Sequence, residues 1–253
     1  MKLARWLGWA GTLVVGYGAI CGLMALAQRS LIYYPTAAGD PSNQLELAVA
    51  GTRLRVSERP QPGPRALLYF GGNAEDVSLT RAELVVLLPD TAHYLMHYRG
   101  YGGSEGRPSE AALRADAQAL YAHVAQRHSA ITVVGRSLGT GPAVHLAATQ
   151  PVQRLVLLVP FDSLAAVARG ALPWLPVDLL LRDRWDAAAE APRVRAPTTI
   201  VAAVFDPVVP SRHAVALHGA FPPGVAELVM VPDLHHNTPI LDSPAFRAAL
   251  VGP

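Results

Sequence analysis

The chain is patterned in short apolar runs separated by longer segments of helical spacing. Residues 66–70, 93–98, 131–134, 155–159, 198–203 and 227–231 are compact runs with little polar alternation. Strands read this way when both faces of a parallel sheet are buried. Residues 75–88, 110–128 and 137–149 place apolar side chains at the three- and four-residue spacing of amphipathic helices. Strands alternating with helices of this length predict a parallel sheet covered on both faces, fold class α/β. Residues 45–49 and 52–56 read as a hairpin around Gly51, and Arg59-Pro60-Gln61-Pro62-Gly63-Pro64 as a loop. No internal repeat appears and nothing divides residues 44–253, so one domain is expected there.

The segment 161–197 interrupts the alternation with Pro173, Trp174, Pro176 and Trp185. It is longer than a simple crossover. It reads either as a small cap over the strand ends or as a helix with aromatic packing residues.

The N-terminus carries another pattern. Residues 6–27 contain no charged side chain. Such a helix rises roughly 33 Å, which spans a bilayer core. Lys2, Arg5 and the amino terminus precede the run and Arg29 follows it. That bias puts the N-terminus in the cytoplasm and the body on the periplasmic or extracellular face. Ala25-Leu26-Ala27 before Gln28 is also an A-x-A cleavage site, so a signal peptide competes. The apolar stretch is long for a signal peptide. The expectation is an uncleaved membrane anchor over 1–30 and a single globular domain over 31–253.

Composition sharpens this picture. Of 253 residues, 51% are hydrophobic and only 16% charged, with a mean hydropathy of +0.25. This excludes a disordered chain and points to a membrane segment beside a buried sheet. The net charge is +2, from 21 basic and 19 acidic residues, and no basic run occurs, so nucleic acid is not an expected partner. The single cysteine, Cys21, lies in the apolar segment and excludes a disulfide framework or a Cys-rich zinc site.

Candidate chemistry lies at the strand ends. Gly135-Arg136-Ser137-Leu138-Gly139 follows the run 131–134 and opens a helix, the context of a G-x-S-x-G nucleophile elbow. Gly135 and Gly139 permit a tight turn that projects the Ser137 hydroxyl. The helix start presents N–H groups and a positive dipole end to a developing oxyanion. Serine needs a base, and in this architecture an acid and then a histidine follow it along the chain. His145 sits inside the helix after Ser137, and His213 and His218 sit in a later one. His235 and His236 lie in the loop after the last strand, where only one can serve. Asp206, after the strand at 198–203, is the candidate acid. An oxyanion hole needs a second donor besides the Leu138 N–H, and the Gly71-Gly72-Asn73 turn can supply it. Neither His93 with His97 nor His235 with His236 makes a convincing metal site, and the chemistry needs no metal or organic cofactor. Arg99 is expected to brace Glu105 rather than to meet a substrate anion.

These blocks resemble the α/β-hydrolase superfamily, and within it the membrane-anchored serine hydrolases that include the fission-yeast Bem46-like proteins. Animal relatives include depalmitoylases and lysophospholipid lipases. The resemblance runs from Gln28 onward. It rests on Gln28-Arg29-Ser30-Leu31-Ile32-Tyr33-Tyr34-Pro35, Phe70-Gly71-Gly72-Asn73-Ala74, Tyr98-Arg99-Gly100-Tyr101-Gly102-Gly103-Ser104-Glu105-Gly106, the elbow, and Pro160-Phe161-Asp162-Ser163. Asp206 with Val209-Pro210 matches the acid motif. Residues 232–237 match a Pro-Gly-Ala-Gly-His-Asn pattern. The alignment selects His236 as the base and puts His235 on a glycine position. The resemblance implies an α/β-hydrolase fold and an acyl-enzyme mechanism with Ser137, His236 and Asp206 as triad. The N–H groups of Leu138 and Asn73 form the oxyanion hole. Small-molecule or lipid esters and thioesters are the implied substrates. Three positions depart from the pattern. Gly71 replaces a histidine, with an expected loosening of the oxyanion loop. Pro207 stands where Glu is common, and His235 is bulkier than glycine. A serine aminopeptidase and a non-catalytic hydrolase-fold binding protein are the competing readings. The first should show an acidic anchor for a substrate amine, and residues 161–190 offer few acidic side chains.

Overall fold

The computed structural model describes residues 2–39 and 42–252. The side chains of residues 2–8 and 10, Lys2 and Arg5 included, lie outside the described residues, and with them the charge bias behind the expected orientation. Helix α1 (Lys2–Ile32) precedes a hairpin of β1 (Gln44–Val49) and β2 (Thr52–Arg59). Ala50 and Gly51, at φ 48° and 78°, form its turn, matching the twist of the flanking strands. Then come β3 (Arg65–Phe70), α2 (Val77–Leu87), β4 (Ala92–Met96), α3 (Glu110–Val124), β5 (Ala130–Arg136), α4 (Thr140–Thr149) and β6 (Arg154–Leu158). Three short helices follow, α5 (Leu164–Ala171), α6 (Val177–Leu180) and α7 (Ala187–Glu190). The chain closes with β7 (Thr198–Ala203), α8 (Arg212–Ala220), β8 (Ala226–Val231) and α9 (Pro244–Val251).

The eight strands form one sheet in the order β1-β2-β4-β3-β5-β6-β7-β8. The β1–β2 and β2–β4 pairings are antiparallel, and every pairing from β4 onward is parallel. The chain leaves β3 for β4 on one side, then crosses to β5 on the other. The crevice between β3 and β5 is therefore a topological switch point, where open α/β sheets place their ligands. Phe70 is paired with Gly135, so the chains leaving these two strands emerge side by side.

Strand alternation explains the two-sided core. Ala66, Leu68 and Phe70 pack with Leu113 and Leu120 of α3 and Val144 of α4. Leu67 and Tyr69 point the other way, toward Leu84 of α2 and Phe246 of α9. A strand buried on both faces has no polar positions to show, as the uniform apolar runs predict.

Segment 161–197 is built of the short helices α5–α7 and packs against α1, α4 and α8. Trp185 is fully buried there, and its indole donates to the Tyr33 hydroxyl at 3.1 Å. One stretch of α1, Gly11–Ile32, is long and apolar enough to cross a membrane. Its end is tied to the same segment. Gln28 donates to the Leu180 carbonyl and accepts from the Arg182 N–H, and Asp183 accepts from both Arg29 and the Tyr33 hydroxyl.

His93 in β4 is fully buried, and burial, reinforced by repulsion from the Arg59 and Arg81 cations, lowers its pKa to about 4. The unfolded chain titrates near 6.5 and so binds a proton that the fold refuses. The stability owed to neutral His93 is complete above about pH 6.5 and is lost as pH falls toward 4. His93→Leu should flatten this part of the curve, adding on the order of 3 kcal/mol relative to the parent near pH 4. Urea unfolding in detergent at a series of pH values checks this.

Candidate active site

The turn after β5 brings backbones unusually close. Ser137 adopts φ 48°, a conformation that costs a non-glycine residue about 1–3 kcal/mol. A single 3₁₀ turn, Ser137–Gly139, then leads into α4. A Cβ on Gly139 would lie 1.9 Å from the Phe70 carbonyl oxygen, and one on Gly135 would lie 2.5 Å from the Gly139 oxygen. Both elbow glycines are therefore required by the crossing of β3, β5 and the helix start. Gly72 lies in the same crowd, with its Cβ position 3.7 Å from the Ser137 Cβ.

The sequence-predicted residues converge. His236 Nε2 is 2.9 Å from the Ser137 hydroxyl oxygen, and its Nδ1 is 2.7 Å from Asp206 Oδ2. The second Asp206 oxygen accepts from the N–H groups of Val208 and Val209 at 2.8 and 2.9 Å. Pro207 has no N–H to offer, so the carboxylate reaches the next two donors. Burial disfavours the Asp206 charge, but the hydrogen bonds from His236 and those two N–H groups outweigh it. The carboxyl is held below its ordinary pKa. His236 is buried while His235 is exposed and away from this relay. His145 instead meets Glu190, and His213 meets Asp162, both at 2.8 Å. His218 meets the Ala226 carbonyl. A cavity of about 460 Å³ opens here, lined by Ser137, His236, Tyr34, Asn73, Glu75 and Arg136. Among the described residues, no group of three or more His, Cys, Asp or Glu side chains could hold a metal ion.

Asn73 lines the same cavity as Ser137, and its side chain makes three hydrogen bonds. Its Oδ1 accepts from the Tyr34 N–H and the Tyr101 hydroxyl, and its Nδ2 donates to the Ile32 carbonyl. Leu138 is second in the 3₁₀ turn, where an N–H has no acceptor within the helix.

Two expectations need correction. The glycine at position 71 does not loosen its loop, because other groups hold it. Glu75 accepts from the Gly72 N–H and from the hydroxyls of Tyr69 and Thr80, while the Tyr98 hydroxyl donates to the Gly71 carbonyl. A Cβ at Gly71 would stand 2.6 Å from the Val77 side chain, so the local packing favours glycine. Arg99 does not brace Glu105. It forms a two-pronged bond to the fully buried Asp116, at 2.8 Å on each arm, while Glu105 pairs with Arg53. Sequence reasoning also missed Arg136, whose guanidinium donates to the carbonyls of His236 and Thr238 at 3.2 and 3.1 Å. It occupies the free position of G-x-S-x-G, and no motif marks it. Glu75 carried a signal, since it stands three residues after a loop glycine whose N–H needs an acceptor.

Sheet order, elbow and relay together define an α/β-hydrolase. The alpha/beta hydrolase fold family matches over residues 66–195, and the chain belongs to that family. It is 38% identical over 236 residues to the uncharacterized protein Rv2307c of Mycobacterium tuberculosis, spanning 85% of this chain and 82% of the relative. It is 27% identical over 202 residues to the protein bem46 of Schizosaccharomyces pombe, spanning 76% and 67%. Among solved structures it is similar to the Pyrococcus furiosus esterase Pf2001. The TM-score is 0.67 with 13% identity over 87% of this chain and 94% of that one, which is a likeness of fold. The resemblance drawn from the elbow and the glycine-rich blocks therefore holds.

Replacing Glu75 by Leu strands the Tyr69 hydroxyl and the Gly72 N–H. It should lower the unfolding free energy by about 2–3 kcal/mol in chemical denaturation. Glu75→Gln, which keeps an acceptor oxygen, should lose less than half of that.

Proposed function

We propose that the chain is a membrane-anchored serine hydrolase that cleaves ester or thioester bonds through an acyl-enzyme. The observation that carries this reading is the two-bond relay from Ser137 through His236 to Asp206, set at the sheet's switch point. Ser137 Oγ attacks the substrate carbonyl as His236 Nε2 takes its proton. Asp206 holds the His236 Nδ1–H and offsets the imidazolium charge. The N–H groups of Leu138 and Asn73 receive the oxyanion, and each such donor contributes about 3 kcal/mol in comparable sites. Breakdown of the tetrahedral intermediate returns the proton from His236 to the leaving alcohol or thiol. Water, activated by the same histidine, then frees the acid and restores Ser137. The strained φ at Ser137 supports this role, because strain persists where the surrounding structure uses it. The domain over 31–253 would carry the chemistry, with the cap at about 161–197. The segment 1–30 would be an uncleaved anchor, since Tyr17, upstream of the Ala27 cleavage point, is hydrogen-bonded to the Trp174 carbonyl of the cap.

The detergent-solubilised protein should hydrolyse p-nitrophenyl acetate and be labelled by a fluorophosphonate, both reactions vanishing in Ser137→Ala. Labelling that survives in Ser137→Ala overturns the assignment. Asp206→Asn should keep the fold and lower kcat by about 10⁴-fold, read from initial rates on the same ester.

A further inference from the structure

A second cavity, of about 290 Å³, lies beside the first. One wall is the end of α1, with Met24, Ala25 and Leu31, and the opposite wall is α5 and its exit, with Val167, Ala168 and Leu172. Tyr34 and Asn73 line this cavity and also the one that holds Ser137, so the two are neighbours across these residues. Gln28 also lines it, but its amide is consumed by the Ala25 and Leu180 carbonyls and the Arg182 N–H. The walls away from the Ser137 end thus present almost only hydrocarbon.

The cap also runs up the helix that could span the membrane. The Tyr17 hydroxyl donates to the Trp174 carbonyl at 2.8 Å. From Tyr17 to Gln28 a helix rises roughly 16 Å. Trp174 and Leu179 expose apolar side chains on this part of the cap, Leu179 at 85%. With Gly11–Ile32 in a bilayer, the cap tip and the cavity mouth sit at hydrocarbon depth.

We propose that this cavity is the acyl-chain subsite of the hydrolase, and that the anchoring helix is one of its walls. The proposal rests on the serine-hydrolase reading of Ser137. The ester carbonyl would lie at Ser137 and Asn73 while its hydrocarbon chain, arriving from the bilayer, runs between α1 and α5. The helix then contributes to substrate selection as well as to location, and cleavage after Ala27 would remove the Met24–Ala25 wall.

The test uses the full chain in detergent and p-nitrophenyl esters from acetate to decanoate. In the parent, kcat/KM should rise about fourfold for each methylene that enters the cavity. Ala25→Trp and Ala168→Trp, which fill it from opposite walls, should each cut the decanoate-to-acetate ratio of kcat/KM at least tenfold. Leu26→Trp, one residue along α1 and 82% exposed, should leave the ratio as in the parent. A ratio unmoved by both filling variants, or moved equally by Leu26→Trp, overturns the subsite. A parent that hydrolyses no ester and takes no fluorophosphonate sinks the reading of Ser137 instead. The cavity is then judged on Ser137→Ala protein with decanoic acid bearing a terminal diazirine. Photolabelling within residues 164–181 that Ala25→Trp abolishes supports the subsite, and labelling that is absent there, or unchanged by the variant, overturns it.

Discussion

The arrangement depends on three backbone segments meeting at the elbow with no side chain between them. Gly139 sits where a Cβ would penetrate the Phe70 carbonyl, and Gly135 where one would strike the Gly139 carbonyl. This contact holds the ends of β3 and β5 together with the start of α4. It thereby decides that Ser137 and the 71–73 loop face one cavity. Two residues further, Gly141 would place a Cβ 2.1 Å from the Trp185 ring, so the same helix start also seats the cap. Trp185 in turn reaches Tyr33, just past α1. A substitution at any of these glycines would act on Ser137, the 71–73 loop and the cap at once.

Around that contact the polar groups are assigned in closed sets. Asp116 is fully buried and matched by Arg99, and Asp183 receives Arg29 and Tyr33. Glu190 is opposed by burial, yet its bonds to His145 and Arg114 keep its pKa below the ordinary carboxylate value. Buried ion pairs of this kind add little net stability, because desolvation consumes the Coulombic gain. Their effect is geometric, since breaking one leaves a charge with no partner. The cap, the glycine-rich turn and the histidine loop are each pinned by such a set, with Arg136 serving the last. Precision of placement matters most at Ser137 and His236, where the proposed proton transfer needs hydrogen-bond reach.

The sheet was legible because buried parallel strands leave long apolar runs, and each expected strand from 66 to 231 appears within a residue or two of its place. The relay was legible too, because G-x-S-x-G, Asp206 and the His235-His236 loop fall in chain order after successive strands. Choosing His236 over His235 needed the family pattern, since adjacency in sequence says nothing about which ring turns inward. Arg99 was misassigned because its partner Asp116 lies on α3, and the expectation chose Glu105, closer in the sequence. Arg136 was missed because its work is done on backbone carbonyls of a distant segment, while Glu75 was overlooked although its spacing from Gly72 carried a signal. Local spacing encodes the elements and the order of the chemistry, but tertiary pairing of single polar side chains leaves no periodic trace.

The N-terminal helix illustrates the same limit with larger consequence. From composition it is a hydrophobic span whose length favours an anchor over a signal, and nothing more. In the fold its last turns are bonded to the cap through Gln28 and Arg29, and the residues just beyond it, through the Ile32 carbonyl and the Tyr34 N–H, hold the Asn73 side chain. A tether that only localised the domain would need a linker and no such contacts. Here the distance from the end of the span to the oxyanion loop is one hydrogen bond. Motion of the helix relative to the body is therefore coupled to the loop that the proposed chemistry uses. On the proposed acyl-chain reading, a substrate partitioned in a bilayer would meet the cavity without crossing bulk water, sparing it the transfer of each methylene into solvent.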